Sequence, residues 1–423
     1  MIAGPLLSRL FLPADFGHYS MLMAVVGIVS VAVTLRLDNL IPTSMDYSAS
    51  FWLVAICTSA GAVLCLPISV LLGLPWLQAV FVSYAVLATV IFNSFYYIKI
   101  SEDRVLRAAL ARSIQSSGAI GGQVMLGMMS FGLGGLLVGE LIGRTLAVSF
   151  ISQKVESRSK GQLTACWHEQ WDKARWLLPS AVLGAFSLQL LPLGMVPAVG
   201  ATSAGIFMLA YRMVVIPNSL LAKVTSDSML VELTRARKQE VSCERLVEQC
   251  CGRLFIAAVG IYGVLAVHGD WLFRLILGEK WHSAGELAVW LSVLVAGWSI
   301  ASPMAAVFIA FNKTRWSLML SLLDIANRLT ALVIGWVTSD ILFASKALAI
   351  GGVIVYGLSV ISALSLSGAS MLSIWTSFCR PVAALLALLA MSAFLLGVGF
   401  FWTALLCGGL VSVLALWLIT YGK

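Results

Sequence analysis

The candidate functional residues of this chain are ionisable side chains inside long apolar segments. Glu140 and Arg144 are four residues apart, and so are Asp324 and Arg328. This spacing puts both members of a pair on one helix face, so each pair can neutralise itself locally. An unpaired charge at the centre of a bilayer costs at least ~2.5 to 3.5 kcal/mol, and such a group needs a partner or a wet cavity.

Arg212 differs from these pairs because it has no opposite charge three or four residues away. It must find a partner on another helix or face water, which makes it the strongest single cavity candidate. Arg36 and Asp38 end the first complete apolar segment, where snorkelling to the membrane surface and a functional role are equally good interpretations. Gln123 could line a polar path, although bonding between helices explains it as well.

Enzymatic motifs are missing from the sequence, which contains no Walker A, HExxH or GxSxG pattern and no paired Cys/His metal spacing. It therefore predicts no catalytic residue, no metal and no cofactor. His168, Glu169 and Asp172 stand beside Trp167 and Trp171, a pattern more typical of an amphipathic helix on the membrane surface than of a metal site.

The amino-acid composition indicates that this protein is embedded in a lipid bilayer. Of its 423 residues 60% are hydrophobic and only 11% are charged, and the mean hydropathy is +0.97. The apolar runs last about 20 residues, the length of a membrane-crossing helix. The sequence predicts an all-α polytopic membrane protein with about thirteen complete transmembrane helices plus a truncated first helix.

The predicted spans follow the apolar windows. They are 17–36, 50–72, 75–98, 107–129, 131–152, 176–199, 202–224, 251–275, 284–311, 316–338, 341–366, 380–398 and 400–420. Residues 1–10 cover about 15 Å, half a bilayer, so we expect them to be the outer end of a first helix that is cut short.

The positive charges alternate between the loops. They form short clusters rather than one continuous face, which argues for membrane orientation and against a nucleic-acid partner. The side rich in Lys and Arg is expected to be cytoplasmic and includes the C-terminal Lys423. The opposite side carries only Arg9, Arg274, Lys280 and Lys346.

A faint internal repeat divides the chain. Lys99 and Lys313 precede comparable segments, and Gly139 and Gly351 lie within comparable segments. We expect an N-terminal helical lobe (1–153), a cytoplasmic linker (154–175), a C-terminal helical lobe (176–366) and an extra transmembrane helix pair (380–423). Glycines every four residues from 135 to 143 predict a ridge that lets a neighbouring helix approach closely.

Several loose motifs, in order, resemble the bacterial oligosaccharide flippase family of the multidrug/oligosaccharidyl-lipid/polysaccharide exporter superfamily. Residues 8–19 (SRLFLPADFGHY) and 35–38 (LRLD) resemble its opening, and residues 134–143 its glycine-rich sixth helix. Residues 210–217 resemble its eighth helix, and residues 275–285 the loop before its tenth.

This resemblance implies two six-helix lobes, often with two further helices, in the bacterial cytoplasmic (inner) membrane. It implies transport of undecaprenyl-diphosphate-linked oligosaccharide repeat units for O-antigen, capsule or exopolysaccharide synthesis. Basic residues would bind the diphosphate and polar groups would bind the sugars. A lateral opening would accommodate the polyprenyl tail. The implied partners are the lipid-linked oligosaccharide, membrane lipid, and a polysaccharide polymerase or glycosyltransferases. The predicted substrate-binding residues are Arg212, Arg144, Arg328, Arg36, Glu140, Asp324, Asp38 and Gln123.

Two alternatives stay open. A cation-coupled multidrug exporter would use membrane-embedded carboxylates, whereas this chain offers chiefly Glu140 and Asp324, each with an arginine one turn away. A non-transporting membrane component of a polysaccharide-synthesis complex would fit if the shortened first helix abolishes transport. The flippase is the favoured interpretation.

Overall fold

A computed structural model gives the fold of the chain. It describes residues 3–35, 37–38, 41, 46–71, 73, 75–239, 242–278, 281–311, 313–398, 407–411 and 413–415. Within these ranges the ordered secondary structure is helical and contains no strand. The predicted all-α polytopic fold is confirmed.

Thirteen helices are described in chain order, followed by helical residues at 407–411 and 413–415. They are α1 (Ala3–Leu10), α2 (Pro13–Thr34), α3 (Tyr47–Leu71), α4 (Trp76–Ser101), α5 (Val105–Met128), α6 (Gly132–Ile151), α7 (Lys160–Val199), α8 (Ala201–Lys238), α9 (Glu244–Leu277), α10 (His282–Ala310), α11 (Thr314–Thr338), α12 (Ile341–Ser367) and α13 (Met371–Gly397).

Nine of the described helices contain segments that are long and apolar enough to cross a membrane. Twelve of the predicted spans fall on helices α2 to α13, and most of the thirteenth, 400–420, lies outside the described residues. The structure extends several of them: α8 continues past the predicted end at 224 to Lys238, and α7 already begins at Lys160. Polar helix-forming residues continue these helices where the apolar signal stops.

The first turns of α7 contain the Trp-flanked segment around His168. Its Trp167 and Trp171 rings stack at 5.1 Å, and the buried Gln170 donates to Ser50 of α3 at 2.5 Å. The segment is continuous with the apolar part of α7 rather than a separate surface helix. No group of three metal-ligating side chains occurs in the described ranges.

The chain forms two compact units, residues 2–197 and 198–423, here called the N-terminal unit and the C-terminal unit. The boundary lies near Gly200, whose φ of +83° favours glycine and ends α7 before α8 starts. The predicted lobes 1–153 and 176–366, the linker 154–175 and the extra helix pair 380–423 stay predictions.

In the N-terminal unit the glycine ridge of α6 packs on α5. A Cβ at Gly139 would meet the backbone of Gln123, and one at Gly143 would meet the backbone of Ala119. A Cβ at Gly135 would lie 3.2 Å from the Phe11 ring that follows α1. The ridge therefore lets α5 and α6 approach closely, as the small-residue spacing predicts.

Candidate functional site: an arginine–carboxylate cluster in each unit

The N-terminal unit holds its cluster on α6. Arg144 Nε lies 2.9 Å from Glu140 Oε1, and the two side chains are only 7% and 13% exposed. Tyr19 of α2 donates to the other carboxylate oxygen, Glu140 Oε2, at 2.8 Å. The guanidinium also donates to the Ala85 carbonyl at 3.5 Å and to the Thr89 hydroxyl, both on α4. One buried charge pair thus ties three helices together.

The C-terminal unit holds its cluster on α11. Arg328 Nε lies 2.8 Å from Asp324 Oδ2, with side chains 7% and 18% exposed. Tyr356 of α12 donates to Asp324 Oδ1 at 3.0 Å, and Arg328 also hydrogen-bonds Tyr211 of α8. The Tyr211 ring stacks on Phe207 one turn earlier, with centroids 6.0 Å apart.

Each cluster satisfies a charge inside an apolar helix bundle by the same device. A carboxylate one turn before the arginine accepts a hydrogen bond from its Nε–H. The hydroxyl of a tyrosine on another helix donates to the second carboxylate oxygen. Charge-assisted hydrogen bonds of this kind offset the cost of desolvation, whereas removing one partner would strand the other charge. The predicted pairs Glu140/Arg144 and Asp324/Arg328 are therefore real pairs in the structure.

An amide beside a glycine marks a second correspondence between the units. Gln123 of α5 donates to the Leu136 carbonyl of α6 at 3.2 Å, next to Gly139. Asn327 of α11 donates to the Leu348 carbonyl of α12 at 3.1 Å. Gly351, which the sequence repeat matches to Gly139, lies against Asn327. Gln123 therefore joins α5 to α6, and it is buried.

Arg212 lies on an exposed position of α8, beside Tyr211 of the C-terminal cluster. It has no ion pair and no hydrogen bond with the part of the chain that the structure describes. Asp38 is buried beyond the end of α2. Arg36 lies outside the described residues. Of the predicted arginines within these ranges, Arg144 and Arg328 are thus buried and paired, whereas Arg212 is exposed and its role stays a prediction.

The tyrosines of the two clusters are the residues that sequence reasoning missed. Tyr19 and Tyr211 both lie in segments that carry the family resemblance, residues 8–19 and 210–217, so the resemblance could have drawn attention to both. Tyr356 and Tyr211 have no spacing that connects them to Asp324 and Arg328, because they come from α12 and α8. Only packing brings these phenols to the charges.

An apolar cavity of about 440 Å³, partly open to the surface, lies between α9, α10, α12 and α13 of the C-terminal unit. Its wall includes Phe255, Gly297 and Leu389, and almost all of its lining is hydrocarbon. Tyr356 belongs to the same wall while its hydroxyl bonds Asp324. The cavity can hold an apolar group and borders the charged cluster.

A third arginine–carboxylate pair lies outside the spans of the N-terminal unit. Arg158 Nε lies 2.8 Å from Asp46 Oδ2, just before α3. Burial alone would raise the pKa of Asp46, but the Ala49 N–H and the Arg158 guanidinium stabilise the carboxylate and hold that pKa below its ordinary value. The pair, with the Trp52 indole donating to the Glu156 carbonyl at 3.0 Å, fixes the α6–α7 connection against α3.

The long apolar helices define the class, a multi-pass helical membrane protein. Residues 6–286 match the family described as polysaccharide biosynthesis protein, and the chain belongs to that family.

Solved structures support the fold. The "Lipid II flippase MurJ, inward closed conformation" has a TM-score of 0.70 at 14% identity, covering 98% of this chain and 91% of that one. An inward-facing multidrug resistance MATE family transporter of the MOP superfamily has a TM-score of 0.62 at 13% identity, covering 87% and 93%. No curated protein sequence matches the chain.

Proposed function

We propose that this protein is a flippase that moves undecaprenyl-diphosphate-linked oligosaccharide repeat units across the bacterial cytoplasmic membrane for surface polysaccharide synthesis. The observation that carries the proposal is membership of a polysaccharide biosynthesis family in a chain with a flippase-type polytopic fold. A membrane step in such synthesis must carry a polar sugar past hydrocarbon, which needs a protein path.

In this proposal Arg212 is the residue that meets the diphosphate. It is the exposed arginine within the apolar part of α8, and no described carboxylate competes for it. Arginine suits this ligand because its planar guanidinium can donate two parallel hydrogen bonds to phosphate oxygens. Arg144 and Arg328 hold helices together in this proposal, since each is already paired with a carboxylate one turn away.

The orientation follows from the charged loops. We propose that the C-terminus is cytoplasmic, so that the substrate is loaded from the side where glycosyltransferases build it and delivered to a polymerase on the other. Reporter fusions after Ser159 and Arg237 should then indicate the cytoplasm, and a fusion after Gly200 the periplasm. A cytoplasmic signal after Gly200 would overturn this threading.

A second candidate function is multidrug export, because a multidrug transporter has a similar fold. Cation coupling would need a carboxylate able to release its partners, whereas Glu140 and Asp324 each accept bonds from an arginine and a tyrosine. This engagement favours a structural role for both acids and therefore the flippase. Drug resistance on overexpression, with normal surface polysaccharide on deletion, would favour the exporter instead.

The test compares Arg212→Ala with Arg212→Lys in a deletion strain. We expect Arg212→Ala to abolish surface polysaccharide while membrane abundance stays near that of the unaltered chain. Arg212→Lys should keep a fraction of export, because it retains the charge without the bidentate geometry. The matched control is Arg274→Ala, an exposed arginine that is paired with Asp270 at 3.0 Å near the end of α9.

Two results would count against the proposal. Full export by Arg212→Ala removes Arg212 from the binding path. Unchanged surface polysaccharide in the deletion strain, with no lipid-linked repeat unit accumulating inside the cell, removes the function itself.

A further inference from the structure

The middle of α5 presents an exposed polar face. Between Leu110 and Met125 none of its large hydrophobic side chains is exposed. The exposed positions between them, apart from Arg112, are Ser113, Ser116, Ser117 and Gly121, while the large apolar side chains of the same stretch are half-buried. They lie around the midpoint of a helix that runs from Val105 to Met128, the depth at which a lipid-facing helix most needs apolar side chains.

This face does not pack against the α6 neighbour. The opposite side of α5 meets α6, where a Cβ at Gly118 would lie 3.2 Å from Gly143 and one at Gly122 would lie 3.0 Å from Gly139. A Cβ at Gly121 would meet no atom within 4 Å. The serines therefore point away from the close α5–α6 contact.

Arg112 adds a cation to the edge of this face. Its guanidinium carbon lies 4.5 Å from the centroid of the Tyr96 ring, and its side chain has no ion pair or hydrogen bond within the described ranges. A cation held only by an aromatic ring keeps its donors available. Arg112 is exposed, so a ligand anion could reach it.

The serine hydroxyls have their protons engaged and their acceptor sites open. Ser113 donates to the Ala109 carbonyl at 3.2 Å, and Ser116 donates to the Arg112 carbonyl at 3.1 Å. Ser117 donates to the Ser113 carbonyl at 2.6 Å. Each oxygen retains a lone pair that can accept from the hydroxyl of a sugar.

The corresponding helix of the C-terminal unit lacks this property. α11 packs on α12 as α5 packs on α6, with Asn327 in the role of Gln123. It exposes Ser321 and Thr330, but also Leu322, Leu329 and Val333. α11 qualifies as a membrane span by composition, and α5 does not.

We propose that the polar face of α5, formed by Arg112, Ser113, Ser116 and Ser117, lines the path of the sugar–diphosphate headgroup. The guanidinium complements the diphosphate charge, and the hydroxyl oxygens accept from sugar hydroxyls. The inference rests on the proposed function, and it names the part of the cargo that meets this helix. A lipid-facing surface of the same helix is the outcome that would contradict it.

The first arm of the test measures whether water reaches the face. Ser117→Cys on α5 is compared with Ala326→Cys, a small exposed residue at the midpoint of α11. Both full-length proteins react in membranes with a charged methanethiosulfonate, and mass spectrometry reads the labelled peptide so that the eight natural cysteines stay in place. We expect at least tenfold faster labelling at Ser117→Cys. Equal, slow labelling at both positions would overturn the proposal.

The second arm measures export. Ser117→Leu should lower surface polysaccharide at least fivefold at unchanged membrane abundance, because it replaces an acceptor with hydrocarbon, and Ala326→Leu should leave export intact. The two proposals fail separately. The proposed function fails if the unaltered chain does not restore surface polysaccharide to a deletion strain. The α5 proposal fails if the unaltered chain restores it and Ser117→Leu restores it equally well.

Discussion

The two units neutralise a buried arginine in the same way but on different helices. In the N-terminal unit the pair is on α6, the second helix of the close α5–α6 contact, and its tyrosine comes from α2. In the C-terminal unit the pair is on α11, the first helix of the matching α11–α12 contact, and its tyrosine comes from α12. The chemistry is shared while the supporting helices are not, so the arginine–carboxylate–tyrosine arrangement is a packing solution that each unit reaches separately.

The two clusters also differ in what surrounds them. Arg144 reaches a carbonyl and a hydroxyl on α4, so its extra bonds hold neighbouring helices. Tyr356 reaches from Asp324 to the wall of an apolar cavity, so the C-terminal cluster borders space that a ligand can fill. The comparison predicts that the N-terminal cluster is chiefly structural, whereas changes in the C-terminal cluster also reach the cavity.

The largest expected effect comes from breaking one charge pair. Arg144→Ala, Glu140→Ala, Arg328→Ala or Asp324→Ala strands a partner and should destabilise the protein by about 3 to 5 kcal/mol, seen as loss of membrane abundance. Each double alanine variant should recover part of that loss, because no charge is left unpaired. A well-expressed Asp324→Ala/Arg328→Ala protein without export would move this pair into the binding path.

The next effect separates the two helix contacts. Gly139→Ala places a Cβ against the backbone of Gln123, which cannot move without the rest of α5. It should lower the free energy of unfolding by about 1 to 3 kcal/mol. Gly351→Ala meets the side-chain amide of Asn327, which can rotate away, and should cost less. Thermal unfolding of the purified proteins in detergent checks the order. A larger loss for Gly351→Ala would mean that the Asn327 amide is held as rigidly as backbone.

A smaller effect is expected from the tyrosines. Tyr19→Phe and Tyr356→Phe each remove one hydrogen bond to a buried carboxylate and keep the ring, so each should cost about 0.6 to 1.7 kcal/mol, the range for side-chain bonds in membranes. Unchanged unfolding temperatures for both would show that the hydroxyls contribute no stability.

The smallest effect is expected from the arginine–carboxylate pair outside the apolar spans, Arg158 with Asp46. The folded-state pKa of Asp46 lies below its ordinary value, so its pairing with Arg158 stabilises the fold above the unfolded pKa and is lost as pH falls through the folded pKa. Asp46→Asn should therefore lower the unfolding temperature slightly near pH 7, and the difference should shrink below about pH 4. A difference that grows on acidification would contradict the assignment.

Much of this site could be predicted from one-turn spacing alone. Glu140 with Arg144, and Asp324 with Arg328, pair in the structure because residues four apart share a helix face. The close contact at Gly139 followed from the small-residue ridge. The extra length of α7 and α8 could not be predicted, because the apolar signal ends at the membrane while the helical hydrogen bonds continue through polar residues.

A multi-pass helical membrane protein follows from the amino-acid sequence, since apolar runs of that length leave the backbone no other way to satisfy its hydrogen bonds. The sequence also determined which charges pair within a helix. Other features depend on the tertiary structure. Packing brings Tyr19, Tyr211 and Tyr356 to the two clusters and buries Gln123 in a contact between helices. Packing also leaves Arg212 and the serines of α5 exposed. The physical reason is that contacts within one helix follow from its periodicity, whereas contacts between helices depend on which faces meet.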